Sequence, residues 1–310
     1  MPILITALVI IFIWWNAALP FYHDRNRSPL VSDESGCFSQ RCRSIIYDKG
    51  RDYAVLMIHG YPTCPNMYAY SARRLDEAGF DVFAPLIPTF GADVSQFSKT
   101  NYTQWFSFID SYYLDLRKRY RHIAVLGVSM GGAMTLDLAE KYSATPFAMD
   151  RIAVISAPVA YNCLRRGVIT NPLGYFARTL NIFIKSIGLG VVDGRSGADD
   201  GNEEWTGYKG VVMMHGISLT KAFNRIRKNL KRISVPMFVM HDRNDRTVSF
   251  KNLAIIEKFC KDNIVVKREV EMDSAFRHSH HSLLMYHSVQ KEYTDDIISF
   301  LKGGKSGIEE

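Results

Sequence analysis

Ile123-Ala124-Val125-Leu126-Gly127-Val128-Ser129-Met130-Gly131-Gly132 is the stretch on which the fold turns. Ile123 to Leu126 is a short unbroken apolar run, the pattern of a strand buried on both faces. Gly131 to Tyr142, rich in Ala, Met and Leu, reads as the helix that follows. Between them stands Gly-x-Ser-x-Gly. Alone that pattern is weak. Set between a buried strand and a helix, it has the context of a turn that exposes a reactive serine. The glycines have a physical reason: a serine held in a strained backbone needs neighbours two residues away that lack side chains. Ser129 is therefore the candidate nucleophile.

Working outward, residues 44–48, 53–59, 80–84, 152–155, 237–240 and 265–270 read as further strands. Helices are expected over 66–78, 102–120, 249–260 and 285–302, with Trp105, Phe108, Ile109 and Tyr112 at helical spacing in the second. Alternating strands and helices imply a mostly parallel sheet flanked by helices, joined by right-handed crossovers. The alternation fails between about 158 and 220. That stretch holds Pro172, many glycines and the polar run Asp193 to Glu204. It is too long for a loop and too poor in strands to extend the sheet, so it reads as a cap inserted over the sheet's carboxyl edge. Within it, Tyr175 to Ile187 is apolar and aromatic, which suits an acyl chain or packing on the sheet. Residues 221–232 read as a cationic amphipathic helix, with Phe223, Ile226 and Leu230 inward.

A serine hydroxyl is a poor nucleophile and needs a base oriented by an acid. For this strand-turn-helix arrangement the chain order is Ser, then Asp or Glu, then His. Strand 237–240 runs into His241-Asp242-Arg243-Asn244-Asp245, where Asp242 and Asp245 compete as the acid. His278, His280, His281 and His287 compete as the base. No carboxylate or cysteine completes a metal-ligand spacing among these histidines, so no metal or cofactor is expected. A tetrahedral oxyanion needs two backbone donors. Met130, at the helix start, supplies one. The loop His59-Gly60-Tyr61-Pro62 supplies the other from Tyr61, because Pro62 has no N–H. His59 precedes the serine and reads as a brace for that loop.

The 310 residues are 47% hydrophobic and 22% charged, enough for a sizeable core. The net charge of +7 comes with no nucleic-acid-binding motif, and attraction to an anionic membrane surface is its better use. Five cysteines, Cys37, Cys42, Cys64, Cys163 and Cys260, fit no zinc site; Cys37 and Cys42 would pair only in an oxidising compartment. Residues 1–19 are apolar apart from Thr6 and Asn16, at the short limit for a spanning helix. With no Lys or Arg before the run and a poor cleavage site, the reading is a retained membrane anchor. The alternative is a removed signal and a secreted or periplasmic protein.

The chain resembles the bacterial carboxylesterase and monoacylglycerol lipase group of α/β-hydrolases, a serine-aminopeptidase-like lineage. The resemblance rests on Leu56 to Pro62, Gly79-Phe80-Asp81-Val82, Pro85-x-x-Pro88-x-x-Gly91, Tyr102-Thr103-Gln104-Trp105, Ile123 to Gly132 and Ser156-Ala157-Pro158. It continues with Pro236 to Met240, Asp245-x-x-Val248, Ser279-His280-His281 and Ile297 to Leu301. It implies an α/β-hydrolase fold with a cap and an ester or lipid substrate. It also implies Asp245 as the acid and His281 as the base, with His280 the alternative. Where the family often has His-Gly-Phe-Thr-Gly, this chain has His59-Gly60-Tyr61-Pro62-Thr63, and Asp242 stands in place of a glycine. The resulting plan is an anchor at 1–19, a linker at 20–43, a core at 44–157 and 221–302, a cap at 158–220 and a tail at 303–310. An acyltransferase or peptidase with the same three residues is the rival enzyme reading. A hydrolase-like binding protein without turnover is the other.

Overall fold

The computed structural model describes residues 1–17 and 22–303. Residues 18 and 19 of the expected anchor, 20 and 21 of the linker and 304–310 of the tail lie outside the described residues.

The chain opens with helix α1 (Pro2–Ala17), then strands β1 (Ile45–Tyr47) and β2 (Tyr53–Ile58). Helix α2 (Ala69–Glu77), strand β3 (Asp81–Ala84) and helices α3 (Val94–Ser98) and α4 (Tyr102–Arg119) follow. Next come β4 (His122–Val128), α5 (Met130–Tyr142) and β5 (Arg151–Ile155). The inserted region carries β6 (Asn162–Cys163), β7 (Val168–Ile169), α6 (Ala177–Phe183), β8 (Ser186–Asp193) and β9 (Thr206–Val212). The chain closes with α7 (Met213–Asn229), β10 (Met237–Asp242), α8 (Lys251–Cys260), β11 (Ile264–Val270) and α9 (Gln290–Leu301).

Seven strands form the central sheet in the order β1-β3-β2-β4-β5-β10-β11. Only β1 is antiparallel to its neighbour. β2 and β4 lie inside, and Val55 to Ile58 and Ile123 to Val128 are buried, as their unbroken apolar runs require. α5 is buried around nearly its whole circumference from Met130 to Ala139, and the one charged residue of that span, Asp137, is paired with Arg225. Two apolar layers result, one on each face of the sheet: Trp105, Ile109 and Met134 belong to one, Tyr68, Leu75 and Phe300 to the other.

The inserted region is richer in strands than its composition suggested. β8 and β9 pair as an antiparallel hairpin apart from the main sheet. The hairpin sits on the carboxyl edge: Tyr208 N donates to Pro62 O at 2.9 Å, and Thr63 Oγ1 to Thr206 O at 2.8 Å. The helix expected at 221 begins at Met213 and so crosses the boundary drawn at 220. No capping side chain marks that start, since Val212 occupies the cap position. Phe223, Ile226 and Leu230 are buried as expected. Arg225, on its outer side, pairs with the buried Asp137 of α5, with Nη1 at 2.7 Å from Oδ1.

The N-terminal reading needs correction. No helix among the described residues is long and apolar enough to cross a membrane. α1 has 16 residues, about 24 Å at 1.5 Å per residue, short of a hydrocarbon core of about 30 Å. Nor does it stand apart from the body. It packs on α6 and the residue before it: Phe12 stacks on Phe176 at 5.8 Å, and Asn16 Nδ2 donates to Thr179 Oγ1 at 2.8 Å. The segment after it is also fastened down. Asp24 accepts from Thr103 Oγ1 at 2.6 Å and Ser218 Oγ at 2.9 Å. All five cysteines are free.

Candidate active site

β4 ends at Val128 and α5 starts at Met130, so Ser129 alone makes the turn. Its φ of 58° and ψ of −124° are a conformation L-residues rarely hold. The flanking glycines permit it. A Cβ on Gly127 would fall 2.2 Å from Gly131 O, and one on Gly131 1.8 Å from Ile58 O. Either would drive the strand and the helix apart. Ser129 N donates to Ile155 O at 2.9 Å, anchoring the turn to β5. Tyr68 adds a brace that the sequence did not announce. Its buried hydroxyl donates to Ile58 O at 2.7 Å and accepts from Val128 N at 3.0 Å, bridging β2 and β4 one rung past their ladder.

The loop after β2 lies against the serine: an ideal Cβ on Gly60 would be 3.1 Å from Ser129 Cβ. Among the described residues, neither the Tyr61 nor the Met130 amide has an acceptor. His59 braces this loop, with Nδ1 donating to Gly60 O at 3.0 Å and Nε2 accepting from Ile87 N at 3.1 Å. Burial pushes its imidazole down to about 4, so it stays neutral. The Tyr61 side chain points the other way. Its hydroxyl meets His215 Nδ1 of α7 at 3.1 Å, joining the loop to the helix that leaves the cap.

Asp245 and His281 meet. Nδ1 of His281 lies 2.7 Å from Asp245 Oδ2, so it carries the proton and leaves Nε2 with a free lone pair. That Nε2 is buried and has no partner among the described residues. Asp245 is fixed from both sides. Oδ1 accepts from Thr247 N at 2.7 Å and Val248 N at 2.8 Å, leaving Oδ2 for the histidines. Burial works against its charge, but His281 and His241 outweigh burial and hold the carboxyl well below the usual carboxylate range. His241 is a second partner missed in the sequence. Its Nε2 lies 3.1 Å from Asp245 Oδ2 and 3.0 Å from Val248 O. Since a carbonyl only accepts, Nε2 carries a proton shared between both oxygens.

The competing residues go elsewhere. Asp242 accepts from Asn244 N at 2.6 Å and Met272 N at 2.9 Å, closing its own loop. Burial raises its carboxyl. His280 is buried with φ of 56°, and its nearest acid is Asp242, at 4.0 Å from Nδ1. His278 pairs with Asp200 of the β8–β9 loop. No group of three or more potential metal ligands forms among the described residues.

A parallel sheet bearing a strained serine between strand and helix, with an Asp–His pair beyond it in the chain, defines an α/β-hydrolase. The profile described as "Serine aminopeptidase, S33" matches residues 50–282, and the chain belongs to that family. The chain is 30% identical over 96 residues to the thermostable monoacylglycerol lipase of Bacillus sp. strain H-257, across 31% of this chain and 38% of the lipase. It is 25% identical over 212 residues to the carboxylesterase of Bacillus subtilis strain 168, across 67% of this chain and 78% of that enzyme. A solved metagenome-derived lipolytic enzyme superposes with a TM-score of 0.67 at 16% identity, over 85% of this chain and 98% of its own, a likeness of fold.

Proposed function

We propose that the protein is a serine hydrolase that cleaves carboxylic esters through an acyl-enzyme. The observation that carries this reading is the buried His281, held by Asp245 so that the unprotonated Nε2 remains, in a chain whose strained strand-to-helix elbow presents Ser129 under Gly60. Ser129 Oγ attacks the ester carbonyl and passes its proton to His281 Nε2. The amides of Tyr61 and Met130 hold the oxyanion. His281 returns the proton to the leaving alcohol, and Asp245 stabilises the imidazolium meanwhile. Water, deprotonated by His281, then releases the acid and restores Ser129. Catalytic hydrogen bonds are commonly long without substrate and tighten on binding, so the unpartnered Nε2 suits this role.

The named relatives support ester over peptide substrates, since one is called a monoacylglycerol lipase and the other a carboxylesterase. The purified protein is therefore expected to hydrolyse nitrophenyl butyrate and a monoacylglycerol, and to leave aminoacyl nitroanilides intact. Cleavage confined to the nitroanilides would move the reading to the peptidase alternative.

The exposed apolar face of α1 and α6 supports contact with an anionic lipid surface without spanning it. Ile3 is 85% and Phe183 79% exposed, Ile182 lies beside Phe183, and the exposed Lys185 follows two residues on. Such a face lies in the headgroup boundary when basic residues flank it. Phosphatidylglycerol vesicles are expected to sediment the protein better than phosphatidylcholine vesicles. Ile182→Asp with Phe183→Asp is expected to cut the bound fraction several-fold; unchanged binding counts against this contact.

A further inference from the structure

The Gly- and Asp-rich stretch of the cap has no role in the chemistry above, and His278 is a buried histidine that the chemistry does not use. They meet each other. The loop between β8 and β9 folds over the segment that carries His281. Asp199 accepts from Arg277 N at 3.2 Å through both carboxylate oxygens. Asp200 Oδ2 lies 3.1 Å from His278 Nε2 and accepts from Ser288 Oγ at 2.7 Å, while Oδ1 accepts from Ser288 N at 2.7 Å. The Asp200 carbonyl accepts from His287 N at 2.9 Å. One aspartate thus grips both ends of the segment 278–288.

The backbone is shaped for this grip. Asp200 has φ of 55° and Gly201 φ of 86°. A Cβ on Gly201 would fall 2.7 Å from Met285 O, so only glycine lets the cap loop come so near. The Asp200 side chain is 4% exposed and that of His278 fully buried. A surface pair contributes little to stability; a desolvated one with its remaining hydrogen bonds satisfied fixes geometry.

The tautomer of His278 follows from its neighbours. His280 N donates to His278 Nδ1 at 3.2 Å, so Nδ1 is the acceptor and Nε2–H the donor to Asp200. The His278 ring also stacks on Tyr286 at 3.6 Å between centroids and 8° between planes. The Tyr286 hydroxyl accepts from His281 N and Ser282 N, each at 3.2 Å. A continuous path therefore runs from the cap, through Asp200 and His278, to the backbone of His281. Its last steps are the His280 amide on one side and the Tyr286 ring on the other.

We infer that Asp200 and His278 form a latch by which the cap seats His281 for catalysis, making both positioning residues. This rests on His281 being the base. It also gives the cap a second task besides covering the substrate: with the β8–β9 loop docked, His281 is held; with the loop lifted, its segment loses four bonds to Asp200 at once.

The test uses the full chain with Asp200→Asn and His278→Phe, singly and together. Asparagine matches aspartate in shape but turns one acceptor into a donor, facing either His278 Nε2–H or the Ser288 donors. Phenylalanine keeps the stack on Tyr286 while removing both ring-nitrogen bonds, so it guards against a variant that merely fails to fold. Each folded single variant is expected to lose roughly tenfold or more in kcat on nitrophenyl butyrate with little change in KM, as misplacing a catalytic group does. The double variant is expected to lose much less than the product of the two, because both act through one path. Hydrogen–deuterium exchange of peptides covering 276–288 is expected to rise in both variants, with 123–135 unchanged. Normal kcat in the folded variants, full multiplicativity, or unchanged exchange each overturns the latch. Raised exchange in a protein whose wild type hydrolyses no ester would instead sink the functional reading and leave the latch standing.

Discussion

Ser129→Ala is expected to lower kcat for nitrophenyl butyrate by about 10⁶-fold, the loss seen when the nucleophile of a serine hydrolase is removed. Fluorophosphonate labelling is expected to vanish with it. The fold should survive, because the strain at position 129 is borne by the backbone and by two glycines, and Ala is smaller than Ser. Ser129 N still donates to Ile155 O in the variant, since that bond uses no side chain. Binding of substrate should persist, so KM for any residual turnover should stay near that of the wild type. Thermal unfolding measured beside the kinetics separates a lost nucleophile from a lost fold. Retained hydrolysis in a folded Ser129→Ala protein would place the chemistry elsewhere.

His281→Ala is expected to be comparably damaging, because serine and base act as one unit and either loss removes nearly the whole effect. The informative comparison is with His280→Ala. His280 is adjacent in sequence and equally buried, yet it lies 4.0 Å from Asp242, while His281 lies 2.7 Å from Asp245. A loss of about 10⁶-fold is expected at 281, and at 280 only the smaller loss of a packing change, because His281 alone of the two is paired with Asp245 as a base needs. The two steady-state rates, each normalised to folded protein, decide the matter. An inactive His280→Ala with an active His281→Ala would exchange the two roles.

The parts of this arrangement that could be read from the sequence are those fixed by local chemistry. β4, the elbow and α5 announce themselves because a strand buried on both faces must be apolar throughout, and the turn tolerates only glycine at 127 and 131. The Tyr61 loop follows from its place after β2. The choice between Asp242 and Asp245 is different. Both follow the same strand, and what separates them is that Asp242 turns to the amides of Asn244 and Met272, the latter beyond β11. No local pattern carries that. Likewise His280 and His281 differ by the positive φ at His280, which turns the chain between them.

The inserted region was the least legible. In β8 the sequence Ser186-Ile187-Gly188-Leu189-Gly190 interrupts apolar residues with glycines, and a register shift lies between Ile187 and Gly190. The hairpin gains its stability from pairing with β9 and docking on Thr63, not from a strand-like pattern of its own. The start of α7 was hidden because Val211-Val212-Met213-Met214 runs on from β9 with no capping residue between them. At the N-terminus the sequence shows the hydrophobicity of the segment but not its use. A run at the short limit of a span reads like a surface helix; the 16-residue length of α1 and the contact of Phe12 with Phe176 separate the two.

The central claim is that Ser129 is the activated nucleophile, and intact-mass spectrometry with peptide mapping of its phosphonylated form reads it directly. The protein is incubated with a fluorophosphonate and digested. One adduct per chain is expected, on the peptide containing Gly127 to Gly131, and none after Ser129→Ala or in denatured protein. An adduct mapped to any other residue, or an unmodified Ser129 in folded protein that hydrolyses esters, contradicts it.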